Sequence, residues 1–408
     1  MRRESCRIQR ILCVWLAFVA LPAWCAEWSA EPSVTLREEY NDNFLLTTLP
    51  HNAVWGTILT PSLKLSRRSE VSETSASAHL NFNRYAGDRD LDRNDQYYKL
   101  NSSYQSERNI WAGDFSYTRD STLFSELDET GIVQARAQRN RLSLAPSWTY
   151  MLSERNSLRL GYQIDRVSYD SNSAGLIDYR NQSVDAGWLH QFSPKDLVTL
   201  ALFYSTFQTA NDSNKANTIG LQGGLTHDFS ETMQGSIVLG MRNIKSTVKG
   251  LSTQLVEILP GFFLPVLVPQ TLNTTDRVTV LNARLEKRFE TVTINGSVSR
   301  EQSPTGNGSL VETDRLRIGV SRRVTENLTA SANGSVYHSR YIGNAVNATD
   351  RKYYELALNL NWRMTERWRV ESGYRYARLE YQSSGTAPDS NLVFAGIRYD
   401  WPIISIAR

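Results

Sequence analysis

From Ser33 onward, apolar and polar residues alternate with a period of two in segments of roughly 9 to 13 residues, the pattern of half-buried strands. Trp55, Thr57, Leu59, Pro61, Leu63 and Leu65 form one apolar row. Leu142, Leu144, Pro146, Trp148 and Tyr150 form another, interleaved with Arg141, Ser143, Ser147 and Thr149. Leu158, Leu160, Tyr162 and Ile164 alternate with Arg159, Gly161, Gln163 and Asp165, and Tyr354 to Trp362 repeats the plan with Glu355, Asn359 and Asn361 between. Charged residues between aliphatic ones along whole strands mean that one face is wet and the other is not. The mature chain has no comparable stretch of helical period, so it reads as all-β.

The connections fall into two classes. Short ones recur as near-copies, among them Ser106-Glu107-Arg108-Asn109, Ser153-Glu154-Arg155-Asn156, Ser193-Pro194-Lys195-Asp196, Thr325-Glu326-Asn327 and Thr365-Glu366-Arg367. Ser, Thr and Asn suit tight turns because their side chains bond the nearby backbone. Longer polar connections alternate with them, as at 86–95, 120–138, 170–178, 210–216 and 303–309. Short turns at one end and long loops at the other are the layout of an outer-membrane barrel. The expected fold is a closed antiparallel transmembrane β-barrel of about 18 strands, within a range of roughly 14 to 18, with both termini periplasmic. A secreted β-sandwich or propeller also alternates, but it would not keep two classes of connection throughout, nor leave such apolar rows facing solvent. Trp111, Trp148, Trp188, Trp362, Trp368 and Trp401 fall near strand ends, where aromatic girdles mark membrane interfaces.

The amino terminus departs from this pattern. Arg2, Arg3, Arg7 and Arg10 precede the apolar run Ile11–Leu21, then Pro22 and Ala23-Trp24-Cys25-Ala26. This order predicts a cleaved secretory signal peptide over residues 1–26, with the barrel over 27–408. Cys25 raises the alternative of lipidation, against which bulky Trp24 argues. The chain has 45 Lys+Arg and 42 Asp+Glu, and its three cysteines, Cys6, Cys13 and Cys25, all lie in the leader. Cleavage removes four arginines and one glutamate, which balances the mature charge and leaves no thiol for disulfides or metal. Balanced charge gives no reason to expect nucleic acid as a partner. The mean hydropathy of −0.41 resembles that of a soluble protein, yet an alternating barrel averages to the same value.

Near the mature start the chain reads Arg37-Glu38-Glu39-Tyr40-Asn41-Asp42-Asn43-Phe44-Leu45-Leu46. A first strand ending in Tyr-x-Asp-Asn before apolar residues resembles the opening of porin-like β-barrel families encoded beside exopolysaccharide and PEP-CTERM operons. The overall plan resembles them over nearly the whole chain. The resemblance implies a Gram-negative outer-membrane protein of polysaccharide export or assembly, with lipid, polysaccharide and periplasmic export proteins as its company. One departure is the ending Ile403-Ile404-Ser405-Ile406-Ala407-Arg408, where such barrels commonly finish on an aromatic residue. Either Tyr399 or Trp401 closes the last strand and a tail follows, or the assembly signal is unusual.

With the apolar rows toward lipid, Arg141, Arg159, Arg284, Arg288, Arg315, Arg317, Arg369, Arg375 and Arg398 face inward, together with Asp165, Glu286, Glu355, Glu371 and Asp400. Charged rings set pore selectivity, and the arginine surplus would favour anions. The same charges could instead cross-link neighbouring strands and fill the lumen. A second feature is the apolar connection from Ile244 to Thr275, whose run 255–269 is broken by Pro260, Pro265 and Pro269. It reads either as a lid in the barrel mouth, with Leu255, Ile258, Phe262, Phe263 and Leu267 forming a constriction, or as paired strands extended above the membrane. His51, His79, His190, His227 and His338 are scattered, and His190 near Ser193 lacks an orienting third group. No metal-ligand cluster, phosphate loop or nucleophile elbow appears. A passive conduit is therefore expected, with no catalytic residues, metal or cofactor. The alternatives are a docking barrel without an open pore and, less favoured, an outer-membrane hydrolase.

Overall fold

The computed structural model describes residues 26–122, 137–170, 175–259, 262–342, 350–382 and 385–407. Residues 1–25 of the expected signal peptide lie outside the described residues. The first third of the wall is β1 (Glu27–Asn41), β2 (Val54–Arg68), β3 (Ser72–Ala86), β4 (Arg93–Gln105), β5 (Asn109–Ser121) and β6 (Gln138–Met151). The second is β7 (Asn156–Tyr169), β8 (Tyr179–Ser193), β9 (Asp196–Thr209), β10 (Asn214–Ser230), β11 (Met233–Leu259) and β12 (Phe262–Arg288). The last is β13 (Val292–Pro304), β14 (Leu310–Arg323), β15 (Leu328–Tyr341), β16 (Arg351–Arg363), β17 (Trp368–Tyr381) and β18 (Asp389–Asp400). Each strand is antiparallel to its neighbours in sequence, and β1 pairs with both β2 and β18, so the sheet closes. The wall is an 18-stranded antiparallel barrel.

Many strands contain 13 to 15 residues. At roughly 3.3 Å per residue and a tilt of about 40° they rise some 33–38 Å, enough for the hydrocarbon core and both its rims. The Ser- and Thr-containing short turns named above all lie at one end. Their Ser and Thr hydroxyls cap the turns, as where Ser153 Oγ accepts from Asn156 N (3.2 Å), Thr325 Oγ1 from Leu328 N (3.0 Å) and Thr365 Oγ1 from Trp368 N (3.1 Å). The first and last strands begin and finish at this same end, because an even strand count returns the chain to where it started.

Register carries one face around the entire ring. Thr35 lies opposite Thr60, Ser143 opposite Asp165, Ser299 opposite Arg315, and Thr35 on its other side opposite Arg398. This polar row is the inner face. The outer face carries Leu158, Leu160, Leu202, Ile219, Leu221, Leu239, Ile318, Leu358 and Leu360, all exposed, as residues in contact with acyl chains would be. The six tryptophans of the expected girdle gather at the short-turn end. Trp111 stacks on Trp148 with centroids 5.6 Å apart, and Trp368 and Trp401 flank Tyr399 at 4.8 and 5.0 Å.

The seam explains both oddities of the sequence. Asn41-Asp42-Asn43 stitches the end of β1 to the start of β18. The Asp42 carboxylate accepts from Asn391 N and Nδ2, both at 2.7 Å, and Asn41 Oδ1 accepts from Ser390 Oγ (3.0 Å). Asn43 Nδ2 donates to Asp389 O (2.8 Å) and Thr47 O (3.0 Å). At the other end of the seam, Trp401 N donates to Pro32 O (3.1 Å) and Pro402 interrupts the ladder. The last residues do not hang free: β19 (Ile404–Ala407) resumes pairing with β1, Ile404 opposite Ala30 and Ala407 opposite Glu27.

Asp42→Ala removes two charge-assisted bonds across the seam and should destabilise the barrel by about 1.5–3 kcal/mol. The measurement is denaturant unfolding in lipid vesicles; an unchanged midpoint would show that the seam does not depend on this carboxylate.

Candidate functional site

The lumen is narrowed at the long-connection end by two segments that turn inward. The first joins β13 to β14. Thr305 N bonds Ser309 O (2.9 Å) to close a tight loop, and Gly308 takes a φ of 79° that glycine alone adopts without strain. From there the loop reaches wall strands several places away. Ile177 N donates to Gly306 O (2.8 Å), Asn214 Nδ2 to Gly308 O (2.6 Å) and Asn307 Nδ2 to Tyr341 Oη (2.8 Å). A Cβ on Gly306 would stand 2.8 Å from Tyr169 Oη and 2.9 Å from Leu176 Cδ2, so a side chain there would have to push one of them aside. The loop is thus a chord across the barrel from β13–β14 to the β7–β10 side. It caps an inner cluster that includes Val167, Tyr169, Tyr179, Phe207, Ile244 and Val311.

The second inward segment joins β1 to β2. Asn43 folds it back through Thr47 N, which donates to Asn43 Oδ1 (3.1 Å), and Leu46 is buried among Tyr337, Tyr353 and Leu379 of β15–β17. Phe44 packs edge-on against Tyr85, with centroids 4.9 Å apart. Tyr40-x-Asp42-Asn43 therefore does two mechanical jobs, closing the wall and seating a loop inside it.

The apolar run 255–269 does not form this constriction. β11 and β12 continue as one antiparallel hairpin, with Lys245 opposite Thr275 and Leu255 opposite Pro265. The extended-strand arrangement is the one found. Leu255, Phe262 and Leu267 are 69, 57 and 62 % exposed on it. The side chains of Ile258 and Phe263 lie outside the described residues. The two arrangements cannot be separated in sequence, since a run of 15 residues that is apolar but for Glu257 and carries three prolines satisfies either. In sequence the chord falls within the long polar connection 303–309, whose Gly-Asn-Gly at 306–308 is the local sign of a sharp turn.

All nine arginines expected inside lie on the inner-facing register, but they do not form one ring. Arg284, Arg288, Arg369 and Arg398 sit toward the short-turn end, where Arg288 meets Glu286 (2.7 Å) and Asp400 bridges Arg369 (3.1 Å) and Arg398 (2.8 Å). Arg159 also belongs to that half. Arg317 and Arg375 lie near mid-height. Arg141 pairs with Asp165 (3.1 Å), and Arg315 lies over the Tyr337 ring at 5.0 Å, both beneath the inward loops. Glu355 accepts from Tyr353 Oη (2.9 Å). A second group was not singled out from sequence: Arg37–Glu39 (3.1 Å), Arg93–Asp95 (3.0 Å) and the buried Arg139–Asp120 pair (3.2 Å). Arg37-x-Glu39 and Arg93-x-Asp95 carry a usable signal, because residues two apart on a strand share a face. Arg37, Glu39, Asp95, Glu371 and Arg375 line a lumenal cavity of about 380 Å³.

Of the histidines on described strands, His79 faces the lumen, where its Nδ1 meets Ser62 Oγ (2.8 Å), while His190, His227 and His338 lie on the outward-facing register. His190 stacks on Trp188 and bonds Asn156 Oδ1 (2.9 Å). Ser193 bonds Asp196, whose other oxygen meets His227 Nδ1 (2.6 Å). The carboxylate stands between hydroxyl and imidazole, so His227 is not placed to take the Ser193 proton.

The family model described as "Putative beta-barrel porin 2" matches residues 284–400, the wall from the end of β12 through β18. Among solved structures, the chain is similar to the outer membrane protein opdK from Pseudomonas aeruginosa, at 10% identity over 91% of this chain and 99% of that one, with a TM-score of 0.46. It is similar also to OccK2 (OpdF) of Pseudomonas aeruginosa, solved in complex with glucuronate, at 10% identity over 91% and 98% with a TM-score of 0.46. OccAB3 of Acinetobacter baumannii gives 10% identity over 92% and 99% with a TM-score of 0.45. No curated protein sequence matches this chain.

Replacing residues 305–309 by a two-residue turn removes the chord and should raise single-channel conductance in planar bilayers. Deleting residues 255–269 should leave conductance unchanged. The reverse pattern would return the constriction to the apolar run.

Proposed function

We propose that this protein is a porin-like conduit of the Gram-negative outer membrane, carrying a hydrophilic solute without covalent chemistry. The observation that carries the reading is a closed 18-stranded wall with a polar face turned continuously inward. Barrels of 16 to 18 strands are wide enough to leave an aqueous channel once side chains are placed. The match of residues 284–400 to a porin family supports it. In this reading the leader is cleaved, the short turns and both ends of the barrel face the periplasm, and the long connections face outward. The solute belongs with exopolysaccharide export or assembly, as the opening Tyr40-x-Asp42-Asn43 motif implies by resemblance, and periplasmic export proteins would deliver it.

Passage would follow the charged wall. A hydrated saccharide loses little by entering a lumen lined with Arg, Asp, Glu and Asn, since each hydroxyl exchanges water for a comparable hydrogen bond. The acids beside most of the arginines temper the positive field, and the inward-facing Arg315 and Arg317 of β14 are where a preference for anions is tested. Solute-size-dependent conductance of the purified barrel tests the conduit, and a barrel that inserts but passes no ions would sink it. Arg315→Gln with Arg317→Gln should lower the anion-to-cation permeability ratio. An unchanged ratio would assign those arginines to lumen filling.

A second reading, a docking barrel, is favoured by the β11–β12 extension. It projects beyond the ends of β10 and β13 and pairs there only with itself. Its exposed Leu255, Phe262 and Leu267 would be costly to leave in water and economical to cover with a partner.

A further inference from the structure

The two rims of the outer face differ. The short-turn rim is built of tryptophan. The rim below the long connections ends its apolar band in cations, set on the outward-facing register. On β13, β15 and β17 these cations are neutralised by acids on the same face: Arg300 bonds Asp314 (2.5 Å), Arg340 bonds Glu312 (2.7 Å) and Arg378 bonds Glu380 (3.1 Å). On β7 to β12 the arrangement is different. Arg166 lies directly opposite Arg180, Arg180 opposite Gln208, and Gln208 opposite Lys215. Lys245 and Arg277 continue the arc on β11 and β12. All five cations are exposed, and among the described residues none has a carboxylate within ion-pair distance.

Like charges facing one another across adjacent strands destabilise a sheet. Here the strands are about 4.8 Å apart, and the water that would screen them is displaced on one side by the membrane. Among the described residues nothing supplies a counter-charge to this row. Toward the bilayer centre from Lys215, Lys245 and Arg277, the outer face of β9–β14 opens into a furrow of about 780 Å³, lined by Leu200, Leu221, Leu239, Met241 and Leu281 with Gly223 as its notch and the Arg300–Asp314 pair at its β13–β14 edge. A cationic row above a largely apolar furrow on a lipid-facing wall complements a lipid with an anionic headgroup.

We propose that Arg166, Arg180, Lys215, Lys245 and Arg277 form a row that binds the phosphate headgroups of phosphorylated lipids, whose acyl chains lie along the apolar wall and the furrow below. The site rests on the membrane reading above and on no property of the lumen. It makes the leaflet at the long-connection end the one that carries the phosphorylated lipid, so the barrel's orientation is coupled to lipid chemistry. Guanidinium forks suit phosphate oxygens, and the Arg166–Arg180 pair can share one phosphate between them.

The test uses the purified full-length barrel and two probes with identical dioleoyl chains, phosphatidic acid and diacylglycerol, with bound lipid counted by native mass spectrometry. Phosphatidic acid should be retained at least about tenfold more strongly than diacylglycerol, and the triple variant Arg166→Gln, Arg180→Gln, Lys215→Gln should abolish most of that difference. Arg84→Gln with Arg378→Gln, on the opposite part of the rim, should leave it intact. Equal retention of both probes, or a triple variant that binds like the parent, would overturn the site. Displacement of phosphatidic acid by millimolar inorganic phosphate alone would overturn the lipid assignment in favour of a free anion. Vesicle insertion and conductance of the same variants are read in parallel. Failure of the membrane reading would appear there, in the parent protein, whereas failure of the site leaves insertion intact.

Discussion

Closure of the backbone hydrogen-bond ring is the interaction on which everything else depends. In hydrocarbon each unpaired N–H or C=O costs several kcal/mol, so a sheet can cross only if its first and last strands find each other. The β1–β18 seam meets that demand with a ladder from Ser33–Asp400 to Asn41–Leu392. Side chains reinforce it where the ladder runs out: Asn41, Asp42 and Asn43 at one end, and the resumed pairing of β19 at the other. The antiparallel neighbours, the even strand number and the gathering of both ends on one rim all follow from closing a meander of hairpins on itself.

Once closed, the wall separates two environments and each residue on it answers to one of them. The outer rows are aliphatic between the rims. The inner rows tolerate charge because they are wet and because carboxylates sit two residues along a strand from many of the arginines, as in Arg37-x-Glu39, Arg93-x-Asp95, Glu286-x-Arg288 and Arg398-x-Asp400. Such pairs are weak individually. They keep the lumen near neutrality and hold long side chains against the wall, which widens the free cross-section.

The aperture is a different matter from the wall. A barrel of this size is a generic container, and fold alone does not assign function. What makes this lumen particular is the chord from Thr305 to Ser309 and the seat of Leu46, both fixed by buried contacts with strands far away along the chain. The shape of the wall and the shape of the opening are thus set by different residues. Changes in one need not disturb the other.

Alternation made the architecture legible from sequence: a two-residue period is local, and each strand reports its own two faces wherever it sits. The inward parity of Arg141, Arg159, Arg315 and the other six could be read for the same reason, and so could the turns, whose Ser and Thr hydroxyls cap neighbours three residues away. The pairing of Arg37 with Glu39 was equally available, since it needs only strand geometry. The choice between a lid and an extension for residues 255–269 was not, because both bury or expose the same side chains depending on what lies opposite. Nor was the inward turn of 305–309, whose partners Ile177 and Asn214 are more than ninety residues away in the chain and close only when the ring does. The sequence by itself determined which face each side chain shows; closure of the ring decided which distant segments share the space inside, because that space exists only after the last strand has met the first.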